Sequence, residues 1–278
     1  LTTYSNQNDS TYAYSFELLI SGPIKKPIRN GKLIVNNGLL FLDPINEPIT
    51  SIRGEISINN NEFIINNFEG AINPFKNTKL PFTNSIKDFF NIKTRNNKEN
   101  IFLSGRVDLS DFFNPNYSLN IIGNKINLTS SYDLFEGVGD FDINISGKDT
   151  INVIGEFAPE PYNFTITNLD DNNSYKAPTI YSDKIINYDL FIPIKDGIKV
   201  ETDNINILFD GDININKIGT ESYNFSGKAN IIDGKFYDNQ GNIFQNTYGN
   251  IILTPIDNNP YIDLHAQTYI ENNIIDVS

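Results

Sequence analysis

Few side chains in this sequence combine the type and the spacing that catalysis or metal binding requires. The chain has one histidine, His265, and no cysteine. Cys/His zinc sites and Cys–His or Ser–His–Asp nucleophilic centres would therefore all depend on that single imidazole. His265 lies between Asp263 and Gln267 on the polar parity of a predicted strand, which is typical of a solvated surface histidine. The sequence predicts no metal site and no cofactor site.

Two carboxylate pairs with i, i+2 spacing are the remaining candidates for chemistry. Asp210 and Asp212, like Asp140 and Asp142, place both carboxylates on the polar side of a predicted strand. Such pairs can serve glycoside hydrolysis or bind calcium. Because the chain has 34 acidic residues, a solvated polar face is the favoured interpretation. With no other catalytic pattern in the sequence, we predict that the protein is not an enzyme.

Composition narrows the class of protein further. The 278 residues carry a net charge of −13 and are 39% hydrophobic, which predicts a folded chain with a sizeable core. The acidic balance argues against a nucleic-acid partner, since phosphates are bound by clustered lysine and arginine. No apolar run approaches the roughly 18 residues that span a bilayer. Because the chain begins at Leu1 and has no methionine, we interpret it as a segment of a longer protein.

Alternation of apolar and polar residues with a period of two dominates the chain. It is clear over 141–146, 205–215 and 262–267, and it is typical of strands with one apolar and one solvated face. Turn residues rich in Asn, Asp and Gly separate these runs at short intervals. The one predicted helix spans 85–92, inside an irregular stretch, 74–100, that we interpret as an insertion. The sequence therefore predicts an all-β protein.

A glycine followed by apolar residues at +2 and +4 recurs along the chain. A glycine on the apolar parity of a strand lets a sheet bend sharply or leaves room close to the backbone. A succession of such strands predicts a curved trough, a sandwich or a barrel. The alternative is that the glycines end turns before ordinary sandwich strands. The motif begins at Gly31, Gly38, Gly54, Gly105, Gly139, Gly211, Gly227 and Gly249.

The second half of the chain adds a specific order of elements to this recurrence. The elements are Tyr-Asp-Leu-Phe-Ile-Pro at 188–193, a strand with a central glycine at 206–215, Gly-Lys-Phe-Tyr at 234–237, Gly-Asn-Ile-Ile-Leu at 249–253, and an Asn-Pro turn at 259–260 before a strand ending in Ala266. In this order the chain resembles the β-rich region of TamB, a subunit of the translocation and assembly module. TamB belongs among the AsmA-like, bridge-type lipid transport proteins. The likeness is strongest over 183–278 and weaker over 1–168.

The resemblance implies a fold and a function. The fold is a single elongated segment over 1–278, a strongly curved, trough- or taco-like β-sheet with an apolar groove on its concave face. In that family the groove is thought to conduct phospholipid acyl chains through the periplasm between the inner and outer membranes, which supports outer-membrane biogenesis. The parent protein would be anchored in the inner membrane. Its partners would be phospholipids and an outer-membrane barrel protein of the TamA/BamA type.

The alternation predicts which side chains would line such a groove. They are apolar residues that share one parity in each strand, and many follow a glycine on that parity. The predicted lining residues are Leu33, Val35, Ile56, Ile58, Val107, Leu109, Phe141, Ile143, Ile145, Ile205, Ile207, Phe209, Ile213, Ile215, Phe225, Ala229, Ile231, Ile251, Leu253, Ile262, Leu264 and Ala266.

Two other classes of protein fit parts of the sequence. A structural or adhesive β-solenoid of a surface protein would use the many asparagines as internal ladders, although solenoids favour a near-constant repeat length. The glycine-led strands here are irregularly spaced. A glycan-active β-sandwich or β-helix enzyme would use the paired aspartates at 210 and 212.

Overall fold

The computed structural model of the chain describes residues 13–25, 27–41, 47–72, 99–129, 135–166, 184–238, 241–254, 260–270 and 273–277. These residues form 14 strands and no helix, and all 14 strands belong to one curved sheet. The predictions of an all-β chain and of one large curved sheet are thus confirmed. The helix predicted at 85–92 lies outside the described residues.

The strands vary widely in length. Their bounds are β1 (Ala13–Ser21), β2 (Ile28–Leu40), β3 (Ile49–Asn59), β4 (Glu62–Ala71), β5 (Ile101–Asp108), β6 (Asn116–Thr129), β7 (Phe135–Gly147), β8 (Thr150–Ile166), β9 (Ile185–Glu201), β10 (Ile205–Lys217), β11 (Asn224–Tyr237), β12 (Ile243–Leu253), β13 (Tyr261–Ile270) and β14 (Asn273–Val277).

The sheet has a simple topology. The strands lie side by side in the order in which they occur in the chain, from β1 at one edge to β14 at the other. Neighbouring strands are antiparallel, except that β8 and β9 are parallel, pairing from Thr150 with Ile185 to Ile166 with Val200. The sheet therefore continues from the first half of the chain into the second without a break.

The pairing of β6 with β7 illustrates why these sequences form strands. Ile121 lies opposite Ile143, whereas Asn120 lies opposite Asn144. Aliphatic side chains thus meet on one face and amides on the other, and the amide nitrogen of Asn120 donates to the Asn144 side-chain oxygen at 3.3 Å. Cross-strand pairs of this kind stabilise a sheet by about 0.2–1 kcal/mol each.

Bulges interrupt most of the strands at a similar level of the sheet, and we call this row the bend line. Many of them contain a non-glycine residue with a positive φ of 48–62°. Such a residue at a bulge bends the strand and increases its twist, so a row of them curves the sheet. The bend-line residues are Asn37, Ser51, Lys125, Tyr162, Asp196 and Asn246.

Strand β8 shows the bend most clearly, since Pro159 and Phe164 pair with positions of β7 that are only two residues apart. On either side of this bulge, the rings of Phe157 and Phe164 have centroids 5.5 Å apart. Their partners on β7 are four positions apart, which corresponds to about 13 Å along a straight strand. The two rings therefore converge, as side chains do on the inner side of a bent strand.

Two clusters of buried side chains lie beside the bend line. One contains Ile49 of β3 and Ile126 of β6, which a flat sheet would hold about 14 Å apart. Ile126 has no exposed surface. The larger cluster contains Phe164, Ile194, Ile198, Val200, Phe209, Ala229 and Ile231. Curvature of the sheet supplies the burial that a second layer supplies in a sandwich.

Candidate functional site: the apolar face of the sheet

The strand register places apolar side chains from all 14 strands on a common face, which we call the apolar face. Residues paired across neighbouring strands point to the same side of a sheet. One row across the face runs from Ile194 of β9 through Gly211, Ala229 and Ile251 to Ile262 of β13. The register of the remaining strand pairs places side chains of β1 to β9 on this face in the same way.

The predicted lining residues lie on this one face, apart from Leu109. Leu109 follows the last residue of β5, and its backbone N–H donates to the Asn61 carbonyl oxygen at 2.7 Å. The others are brought together by the register, including residues as distant in sequence as Leu33 and Leu264.

Burial of the predicted lining residues varies along the face. Ile58, Phe209, Ala229, Ile231 and Ala266 are buried, and most of the others are half-buried. Three are exposed: Ile205 at 36%, Phe225 at 48% and Ile262 at 54% of their surface. Distance from the bend line does not decide the burial, since buried Ile58 lies near the end of β3 and exposed Ile262 lies in the same row as buried Ile194.

Sequence reasoning missed several strands of the apolar face because they carry no leading glycine or lack clean alternation. In β4 the consecutive residues Phe63, Ile64 and Ile65 conceal the parity. Alternation in 186–194 would have identified β9. The missed residues on this face include Phe63, Ile65, Phe68, Leu103, Leu119, Ile121, Val153, Phe157, Leu190, Ile192, Ile194, Ile198 and Val200.

Charge divides the two faces sharply. At the described strand positions that pair on the apolar face there is no Asp or Glu, in a chain that has 34 of them. The charged residues at those positions are two cations, Arg29 of β2 and Lys217 of β10. A carboxylate in an apolar environment is costly unless it is paired. Carboxylates are excluded from the paired positions along the described length of the face, and not only from one pocket.

Glycines allow the backbones on this face to approach closely. Gly211 has φ +133° and Gly249 has φ +147°, conformations that L-residues with a side chain rarely adopt. A Cβ at Gly211 would lie 1.9 Å from the Lys228 carbonyl oxygen, and one at Gly249 would lie 2.1 Å from that of Asp263. These positions therefore require glycine.

Three of the four candidate catalytic carboxylates, Asp140, Asp142 and Asp210, accept cross-strand hydrogen bonds on the opposite face. The Asn230 amide donates to Asp210 at 2.8 Å, and the Asn120 amide donates to Asp142 at 2.6 Å. The Lys125 backbone N–H donates to Asp140 at 2.6 Å. These carboxylates act as acceptors that connect neighbouring strands, which is a structural role.

His265 also lies on the opposite face. Its ring stacks on Tyr248 with centroids 5.1 Å apart, and its Nε2 lies 3.7 Å from an oxygen of Asp263. Within the described ranges, no group of three or more His, Cys, Asp or Glu residues is arranged to hold a metal ion.

The end of the sheet away from the bend line, where β10 ends and β8 and β9 begin, is here called the rim. At the rim, the Lys217 ammonium lies 4.8 Å from the Tyr223 ring centroid and 5.9 Å from that of Tyr188. The Lys184 ammonium lies 4.9 Å from the Tyr117 ring centroid. Burial raises the pKa of the Tyr188 phenol, and the neighbouring Tyr223 raises it further. The rim thus combines cations and phenols at the border of the apolar face.

Comparison with known proteins adds no relative. The chain matches no family model, no curated protein and no solved structure. None of the described segments is a helix with the length and hydropathy that crossing a membrane requires.

Proposed function

We propose that the chain is a lipid-conducting segment whose apolar face lines a groove for phospholipid acyl chains. One observation carries this proposal: the face extends over 14 strands of a curved sheet, and its paired positions contain no carboxylate. Acyl chains need a long apolar surface without fixed negative charge, and the length of the described sheet and the residue types at its paired positions support this proposal.

The energetics favour lipid over water on such a surface. Each buried CH₂ group contributes roughly 0.8 kcal/mol, so two acyl chains would bind firmly in any dry channel. Conduction also requires that no single position binds too tightly. A surface of Ile, Leu, Val and Phe interrupted by Gly and Ala is uniform in this sense, because it offers dispersion contacts everywhere and few polar anchors.

The described strands form one layer, which is compatible with a guest on the apolar face. Every described strand belongs to the one sheet, so none of them forms a second layer over the apolar face. A contiguous apolar patch that remains exposed on a folded protein marks a surface for a partner, a ligand or a lipid. Among the exposed residues of this face, Phe225 lies near the rim and Ile262 lies near the start of β13.

The resemblance to TamB supplies the cellular setting of the proposal. A TamB-like segment would lie in the periplasm, in a parent protein anchored in the inner membrane, and would pass phospholipids towards the outer membrane. An outer-membrane barrel protein of the TamA/BamA type would be the partner of the parent chain. No enzymatic activity is part of the proposal.

The topology bears on the alternative of an adhesive β-solenoid. The strands of a parallel β-helix pair in parallel from one coil to the next, whereas the described neighbours here are antiparallel except β8 and β9. We therefore propose the lipid-conducting function and not the solenoid.

The test is lipid content after purification without detergent. We expect phospholipid to co-purify with the wild-type chain. Ile251→Asp should lower the bound lipid by about tenfold or more, because a carboxylate against acyl chains costs several kcal/mol. Mass spectrometry of extracted lipid measures this, with circular dichroism to confirm retained β structure.

Ile252→Asp is the matched control. It makes the same change one residue along β12, on the opposite face, where Ile252 pairs with Lys228. Lipid content should stay at the wild-type level. A lipid-free wild-type protein, or equal lipid in the two variants, would refute the proposal.

A further inference from the structure

Lys217 differs from the other lysines of the described strands because it points to the apolar face. It is the last residue of β10 and pairs with Tyr188 of β9, two positions beyond the pair formed by Ile215 and Leu190. The cation is therefore placed where the apolar face ends at the rim. Arg29, the other charged residue on this face, also lies at the rim end of its strand.

Two tyrosines hold the Lys217 side chain. The ring centroids of Tyr188 and Tyr223 are 6.0 Å apart, and the ammonium lies within 6 Å of both. Contact with aromatic faces orients a cation without neutralising its charge. Among the described residues, no carboxylate forms a salt bridge with Lys217. In this acidic chain, such a cation is available to an external anion.

The chemistry of this cluster suits a phosphate group. An ammonium has three N–H donors and each phenol has one O–H donor, and charge-assisted hydrogen bonds to phosphate are among the stronger ones. The Tyr188 hydroxyl is a donor at neutral pH, as an ordinary phenol is, and burial raises its pKa further. Phe225, exposed and on the same face, lies next to Ile215, so an apolar surface begins beside the donors.

We infer that Lys217, with the hydroxyls of Tyr188 and Tyr223, binds the phosphodiester of a phospholipid whose acyl chains lie on the apolar face. The inference rests on the proposed lipid-conducting function and adds to it a binding site for the head group. A phosphate at the rim and hydrocarbon on the face together match an amphiphile, whereas a soluble anion would use only the donors.

The experiment compares two lipids with identical acyl chains. Delipidated protein is incubated with equimolar dioleoyl-phosphatidylglycerol and dioleoylglycerol in a nonionic detergent, re-isolated, and analysed by mass spectrometry for both lipids. We expect wild-type protein to prefer the phospholipid by about tenfold, the size typical of hydrogen bonds to a charged group. Lys217→Gln should remove most of this preference, whereas diacylglycerol offered alone should bind to the variant as it does to the wild type.

Three variants make the result specific. Lys228→Gln removes a lysine from the opposite face of β11, where it pairs with Asp212, and should leave the preference unchanged. Lys217→Arg keeps the charge and should retain the preference. Tyr223→Phe, at a side chain that is 49% exposed, removes one donor with little effect on folding and should lower the preference partially.

The outcomes separate this inference from the proposed function. Binding of neither lipid by wild-type protein would overturn the proposed function and the inference with it. Equal binding of both lipids, or a preference that survives Lys217→Gln, would overturn the head-group site alone. Lys217-dependent broadening of the phosphorus NMR signal of inorganic phosphate, in protein without lipid, would assign the site to free phosphate and overturn the lipid assignment.

Discussion

The two faces of the sheet use the same backbone for different purposes. On the apolar face, rows such as Ile194, Gly211, Ala229 and Ile251 contain no carboxylate and combine large with very small residues. On the opposite face, amides and carboxylates connect strand to strand, as Asn230 does with Asp210. Most of the chain's negative charge can thus remain solvated without entering the surface proposed to hold lipid.

The largest expected effect comes from placing a side chain where the apolar face requires glycine. Gly211→Val forces a Cβ against the Lys228 carbonyl oxygen and a β-branched residue into a positive φ. We expect the free energy of unfolding to fall by more than about 3 kcal/mol. Urea denaturation followed by circular dichroism measures it.

Asp212→Val is the matched control for this change, one residue along β10 on the opposite face, where the side chain is exposed. Its effect should stay within about 0.5 kcal/mol, as is usual for surface substitutions. Equal losses in the two variants would show that the faces do not differ in their tolerance of side chains.

A smaller effect on stability is expected from breaking one of the cross-strand hydrogen bonds on the opposite face. Asn230→Ala removes the amide that donates to Asp210 at 2.8 Å and should lower the free energy of unfolding by about 1 kcal/mol. Asp210→Ala should have a similar effect, and the double variant should show coupling of the same order. Additive effects would mean that this hydrogen bond contributes nothing. Lipid content should not change in any of the three.

The smallest expected effect is the pH dependence of stability that comes from one carboxyl group, Asp108, on the opposite face. Ser110 donates its hydroxyl and its backbone N–H to Asp108 at 2.6 and 2.8 Å, and these bonds lower the pKa of that carboxyl. The stabilisation is therefore fully present above the ordinary carboxyl pKa and is lost as the pH falls through the lower value in the folded protein.

Ser110→Ala removes the hydroxyl bond, which is the larger of the two causes. We expect the Asp108 pKa, followed by carboxyl NMR, to rise towards its ordinary value. The thermal midpoint of the variant should approach that of the wild type only at acidic pH. An unchanged Asp108 pKa would contradict the assignment. Lipid binding on the apolar face should be unaffected.

Sequence reasoning located the strands best where alternation is clean. The runs at 141–146 and 205–215 lie in β7 and β10, and their side chains that were predicted to line the groove lie on the apolar face. It failed for β4, where three apolar residues follow one another, and for the parallel pairing of β8 with β9. That pairing depends on contacts between distant segments, which local patterns do not encode.

The bend line was also beyond local prediction. Sequence reasoning attributed curvature to glycines, and the structure adds a row of non-glycine residues with positive φ, such as Ser51 and Lys125. Serine and lysine carry no strong preference for that conformation. Only the mismatch in register between neighbouring strands forces a bulge there, and no single strand contains that information.

The sequence by itself determined that this protein is all-β and which side chains share a face, because side-chain direction alternates strictly along a strand. Only the tertiary structure decided that the 14 described strands join in one curved sheet and that no carboxylate stands at the described paired positions of the apolar face. It also decided that Lys217 lies between two tyrosines at the rim. These features depend on register between strands, and register is set by pairing across the sheet.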